Sequence, residues 1–117
     1  MQNMPTESQI QKSILEWLRW HKFFVWRNNS GMQVLPGKDK YYVVRQGIKG
    51  SSDIIGILPG GQFLAIEVKR PGNKPTPDQD AFMEKINTLG GVAFVAYSID
   101  DVEKKLKKYA DYQTKRN

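Results

Sequence analysis

The stretch Asp53-Ile54-Ile55-Gly56-Ile57-Leu58-Pro59-Gly60-Gly61-Gln62-Phe63-Leu64-Ala65-Ile66-Glu67-Val68-Lys69 decides the fold. Two aliphatic runs flank Pro59-Gly60-Gly61. Proline presets one backbone angle there, and the glycines supply conformations that other residues avoid. So short a connection returns the chain beside itself, and the runs 53–58 and 62–69 pair antiparallel. Alternate side chains of a strand share a face. Leu64, Ile66 and Val68 therefore point into apolar packing, while Glu67 and Lys69 share the opposite face. Counting back through the turn brings Asp53 to the Lys69 end of the second strand.

Reading outward, Pro71 to Pro75 is a loop and Thr76-Pro77-Asp78-Gln79 opens a helix. Threonine stands at the cap, proline at the first helical position and glutamine at the third. The helix runs to about Leu89 and stops at Gly90-Gly91. Val92 to Tyr97 is a core strand. Ser98 caps a last helix from Ile99 to about Tyr109, and the tail from Asp111 frays. Upstream, Thr6 and Gln9 form another capping pair for a helix reaching about Lys22, with Ile10, Ile14, Leu15 and Leu18 at helical spacing. Phe23 to Arg27 is a strand that Asn28-Asn29-Ser30-Gly31 ends. Met32 to Lys40, which holds Pro36-Gly37, reads as a loop, and Tyr41 to Arg45 as a short strand. Gln46 to Ser52, with Gly47 and Gly50, reads as a tight exposed turn. The expected class is α/β: a small mixed central sheet flanked by helices, in one domain over residues 1–117 with a core of about 6–109. No internal repeat or linker interrupts it.

Composition narrows the chemistry. The chain has 117 residues, 39% of them hydrophobic, enough for one core. It has no cysteine, which excludes disulfides, thiolate nucleophiles and Cys-rich zinc sites. Its one histidine, His21, excludes poly-His metal sites and reads as structural or exposed. A metal here would be held by carboxylates and carbonyl oxygens, which suits Mg²⁺ or Mn²⁺. The net charge of +6 and the pI of about 9.6 suit a polyphosphate partner. No apolar run is long enough to span a bilayer and Met1 to Pro5 has no signal-peptide core, so a cytoplasmic location is expected, the host's if the chain is phage-encoded. Asn28-Asn29-Ser30 matches a glycosylation sequon, accidentally in that setting.

Asp53, Glu67 and Lys69 converge at one end of the hairpin. Two carboxylates can hold a divalent cation, with the Val68 carbonyl as a further ligand. Such an ion polarises a phosphate and acidifies bound water, and Lys69 can stabilise developing charge or take the water's proton. The competing reading makes Glu67 and Lys69 an ion pair on a solvated strand face. Gly47 to Ser52 lacks the Walker spacing and reads as a turn that lets a nucleic-acid backbone approach Asp53. Lys49, Ser51, Ser52, Arg27, Asn28 and Arg45 are candidate nucleic-acid contacts. Trp26, Tyr41 and Tyr42 could stack on sugars or bases but suit a core or an interface better. Lys104, Lys105, Lys107 and Lys108 make the last helix basic, first as a solvated face and second as a steering surface.

Together Glu7, Gly50-Ser51-Ser52-Asp53, Ile66-Glu67-Val68-Lys69, Gln79 and the tract Gly90-Gly91-Val92-Ala93-Phe94-Val95 resemble a VRR-NUC domain of the PD-(D/E)XK nuclease superfamily, of the stand-alone virus type. The resemblance runs from about Thr6 to Leu106. It implies a restriction-endonuclease-like core of order α-β-β-β-α-β-α and a Mg²⁺- or Mn²⁺-dependent phosphodiesterase. Asp53 and Glu67 would be metal ligands and Lys69 the catalytic lysine, Gln79 would support the site, and Glu7 would line it. Some members act on branched DNA and some are homodimers. Ser52 stands where the family's leading proline would precede Asp53. Gln79 also answers to its capping position, and Glu7 to the helix dipole. Beside a DNA endonuclease, two other readings fit the residues: a non-catalytic nucleic-acid-binding accessory protein, and an interaction protein whose aromatics form an interface.

Overall fold

The computed structural model describes residues 4–28, 32–45 and 47–116, with backbone alone at 32, 33, 44, 45 and 110–116. Its elements are α1 (Glu7–Trp20), β1 (Phe24–Arg27), β2 (Met32–Pro36), β3 (Tyr41–Arg45), β4 (Ile54–Ile57), β5 (Phe63–Val68), α2 (Pro77–Thr88), β6 (Val92–Ala96) and α3 (Ile99–Arg116). With β2 and β3 set aside, the order is α-β-β-β-α-β-α, as the resemblance implies.

Both sequence-predicted capping boxes are present. The Thr6 hydroxyl accepts from the Gln9 backbone N–H at 3.1 Å while the Gln9 side-chain Oε1 accepts from the Thr6 N–H at 2.8 Å. Thr76 and Gln79 repeat the exchange at the start of α2. Each box satisfies two backbone donors that a helix leaves unpaired at its first turn.

Four strands form a sheet in the order β1-β4-β5-β6. β4 is antiparallel to β1 and to β5, whereas β6 runs parallel to β5, because the crossover helix α2 carries the chain back to the same starting end. Ile10, Ile14, Leu15 and Leu18 of α1 and Val102 and Leu106 of α3 pack on Val25, Ile54, Leu64, Ile66, Val68 and Phe94. Each fully buried Ile or Leu is worth roughly 1.5–3 kcal/mol, so this face anchors the sheet. α2 packs on β5 and β6 with Met83 buried outside that cluster, which places it over the opposite face.

Three expectations need revision. Residues 32–36, read as loop, form β2, which pairs with β3 in a separate two-stranded ribbon closed by the Gly37 N–H donating to the Lys40 carbonyl at 2.8 Å. Pro36 hides this strand in the sequence, yet it stands at the ribbon's end, where proline is tolerated. α3 continues beyond Tyr109 to Arg116. The turn before Asp53 is not exposed throughout: Ser52 is fully buried.

Candidate active site

The strand registers set one row across the sheet. Trp26 pairs with Ile55 and Arg27 with Ile54, so Asn28 stands opposite Asp53 one step further on, and the Asn28 N–H donates to the Asp53 carbonyl at 2.7 Å. Ile54 pairs with Ile66, which brings Asp53 opposite Glu67. Cross-strand neighbours share a face, so the Asp53 and Glu67 carboxylates lie side by side. Asp53 is opposite Glu67, with Lys69 two residues on. β4 gives the Val68 N–H no strand partner, because its pairing ends at Ile54. The Asp53 side chain fills that position, its Oδ2 accepting from Val68 at 2.8 Å. The Lys69 N–H donates to the Ala96 carbonyl at 3.1 Å, which ties the residue to β6.

Glu67 is 1% exposed, so the solvated-face reading of this strand does not hold. β6 on one side and α2 above turn a charged strand position into an interior one. Burial pushes the Glu67 carboxyl up to about 9. The Asp53 charge, the side-chain hydrogen bond between the two acids and the Glu7 charge push the same way, and the Lys69 charge opposes them. Glu67 Oε1 is enclosed and has no hydrogen-bond partner. A buried carboxylate oxygen without a donor, next to a second carboxylate, is unfavourable unless a proton or a cation joins the pair.

That observation fits a hard divalent cation. Mg²⁺ keeps much of its water and uses one or two carboxylates, which is the number available here. Among the described residues no three His, Cys, Asp or Glu side chains come together as a metal-binding group, and Glu7 reaches Glu67 through its charge.

The other candidates separate. Gln79 is half-buried and its side chain is engaged in the α2 capping box. Lys49 pairs with Asp78 at 3.2 Å, both largely exposed, a contact worth little. Ser52 is 0% exposed and has no surface to offer a nucleic acid. The Ser51 hydroxyl and the Ser52 carbonyl both accept from Asn28 Nδ2, each at 3.0 Å. Arg27 follows Trp26 and so lies on the α1 face with Val25, beside Lys12, Glu16 and Arg19 and away from Glu67. The Arg45 side chain and residues 29–30 of the sequon lie outside the described residues. Trp26 meets Phe24 with ring centroids 5.4 Å apart, and Tyr41 and Tyr42 sit on the ribbon. His21 stacks tilted on Trp17 at 4.3 Å, a structural contact. Lys104, Lys105, Lys107 and Lys108 are exposed along α3.

Two residues escaped the sequence reading. Arg70 follows the lysine directly, and its Nε is enclosed without a partner. The Tyr97 hydroxyl donates to the Asn73 carbonyl at 3.0 Å, tying the loop after Lys69 to the end of β6. Neither follows a short-range pattern that could have found it.

Comparison with known proteins gives a consistent picture. A family model described as the VRR-NUC domain matches residues 5–100. A solved VRR_NUC domain protein superposes with a TM-score of 0.65 at 25% identity, covering 93% of this chain and 91% of the other. A protein provisionally named nuclease p44, of Acyrthosiphon pisum secondary endosymbiont phage 1, is 37% identical over 60 residues, 51% of this chain. The match takes in 64% of the length of that phage protein.

Proposed function

The chain belongs to the VRR-NUC domain family, and from that premise we propose that it is a metal-dependent nuclease that hydrolyses phosphodiester bonds in DNA. The observation that carries the proposal is the enclosed Asp53–Glu67 pair with its unpartnered Glu67 Oε1. In a domain of net charge +6, an enclosed acidic pair adds nothing to phosphate binding unless a cation joins it.

Asp53 and Glu67 are the side chains that would hold Mg²⁺ or Mn²⁺, with the Val68 carbonyl as a backbone ligand. When bound, such an ion supplies Lewis-acid polarisation of the phosphate and a more acidic water. The fold prepares the rest. The Val68 N–H orients the Asp53 carboxylate, and the Glu67 carboxyl would have to give up its proton to serve as a ligand. Two uses are open to Lys69. As ammonium it stabilises negative charge on the phosphate oxygens; as free amine it takes the attacking water's proton. Gln79 supports the site through the first turn of α2, and Glu7 adds negative charge from α1.

We further propose that the whole of residues 1–117 acts as one nuclease domain, in the cytoplasm of a phage's host. The kinship with a phage protein supports that setting, and among the described residues no helix is long and apolar enough to cross a membrane. A second copy is the proposed cover for the apolar sheet face of Phe24, Trp26, Ile57 and Phe63, all exposed. Two copies would present two sites to two strands, which suits branched or four-way-junction DNA.

The test is cleavage of labelled linear, flap and four-way-junction DNA with Mg²⁺, Mn²⁺ or EDTA, beside Lys69→Ala. Metal-dependent cutting that the substitution removes is expected, and the preferred substrate reports the role. DNA binding without cutting on any substrate would make the chain a non-catalytic accessory protein.

A further inference from the structure

We propose that Asn28 is a positioning residue that fixes Asp53 for cation binding, and that it is not a nucleic-acid contact. This inference rests on the reading of Asp53 as a metal ligand.

Asn28 extends the β1–β4 ladder by one step, and its backbone N–H holds the Asp53 carbonyl at 2.7 Å. Its side-chain amide then turns onto the segment just before Asp53. Nδ2 donates to the Ser52 carbonyl and to the Ser51 hydroxyl, each at 3.0 Å. A primary amide has two N–H donors, and both are used. What remains on the side chain is a carbonyl oxygen, an acceptor that offers nothing to a phosphate. The identity of the donor is fixed chemically, because a backbone carbonyl can only accept.

This clamp sits where the chain would otherwise be loose. Residues 50–52 lie outside any strand, and the Ser51 N–H closes a turn onto the Ile48 carbonyl at 3.1 Å. On its other flank the loop rests against the first turn of α2. Gly50 has φ +78, and a Cβ there would run into the Asp78 carbonyl. Asn28 on one side and Asp78 on the other thus confine the two residues that precede Asp53. Among the described residues, one backbone group anchors the Asp53 carboxylate, the Val68 N–H. Its place beside Glu67 therefore depends on how firmly its own main chain is held. Groups that orient a metal ligand without touching the metal are commonly worth about 10–100-fold in affinity.

Mn²⁺ binding to the full chain, followed by electron paramagnetic resonance and calorimetry, tests this. The variants are Asn28→Ala, Asn28→Asp and Asp53→Asn, each with a melting temperature and a DNA affinity measured in EDTA. Asn28→Asp keeps the shape and loses both donors, so it separates the clamp from simple loss of packing. Both Asn28 variants should bind Mn²⁺ about 10–100-fold more weakly, with DNA affinity in EDTA unchanged. Adding Asn28→Ala to Asp53→Asn should weaken Mn²⁺ binding no further. Unchanged Mn²⁺ affinity in a folded Asn28→Asp protein overturns the proposal, as does a loss of DNA affinity in EDTA with Mn²⁺ binding intact. If the unaltered chain binds no Mn²⁺, or Asp53→Asn binds it equally well, the metal-site reading itself fails.

Discussion

The row Asn28–Asp53–Glu67 and the β2–β3 ribbon break opposite rules of protein construction. The row encloses charge: Glu67 is 1% exposed and keeps an oxygen with no partner. The ribbon does the reverse. Val34, Val43 and Tyr41 are 61%, 61% and 75% exposed, and the register puts them on one face. A two-stranded ribbon alone is marginal in water, and an uncovered apolar face is an interaction surface or a liability. In chain order the ribbon falls between β1 and β4, that is, between Asn28 and Asp53 of the row. Each region lacks a different component. The row is short of positive charge, and the ribbon is short of an apolar partner.

The largest expected effect falls on the row. Lys69→Ala should lower DNA cleavage by about 10²–10⁴-fold, and Glu67→Gln should abolish it, while ribbon substitutions leave the cutting of short linear duplexes near its normal level. Single-turnover kinetics on one labelled duplex would check this, and a Glu67→Gln protein that still cuts would erase the contrast.

A second effect concerns pH without metal. Glu67 titrates at an ordinary 4.5 when unfolded and at about 9 in the fold. Below 4.5 both states hold the proton and pH has no leverage. Between 4.5 and about 9 the unfolded chain has released it and the folded chain has not. Stability of the metal-free protein therefore falls as pH rises through that window. Melting curves in EDTA should show the slope, Glu67→Gln should flatten it, and Mn²⁺ should raise the melting temperature most at the alkaline end. A pH-independent melting temperature from 5 to 9 contradicts the account of how Glu67 is buried, about four units being the span tested.

Smaller effects are expected at the loop and on the ribbon. Gly50→Ala meets the Asp78 backbone at a positive φ and should cost about 1–3 kcal/mol in chemical denaturation. The double change Val34→Thr, Val43→Thr should alter stability by no more than about 0.5 kcal/mol, because those side chains bury little. Equilibrium sedimentation would show whether it weakens self-association. Smallest of all, Ser52→Ala should be neutral or stabilising by a few tenths of a kcal/mol, since the Ser52 hydroxyl is enclosed without a partner.

The sequence showed these regions to different depths. Both capping boxes, the Pro59–Gly61 turn and the alternation of Leu64, Ile66 and Val68 against Glu67 and Lys69 are local patterns, and each stands in the structure as read. β2 was not legible, because Met32-Gln33-Val34-Leu35-Pro36 ends in proline and is a strand only by virtue of pairing with β3. The burial of Glu67 was equally hidden. It depends on β6 lying parallel at its side and α2 covering the face, neither of which a period-two pattern encodes. The Asn28 clamp joins residues 24 apart in sequence, and its asparagine reads locally as the end of a strand.

The most direct measurement of the central claim is the anomalous scattering of Mn²⁺ in crystals of the protein. A peak bounded by the Asp53 and Glu67 carboxylates and the Val68 carbonyl is expected, lost in Glu67→Gln crystals. No peak between Asp53 and Glu67 at saturating Mn²⁺, or one that persists without the Glu67 carboxylate, would contradict it.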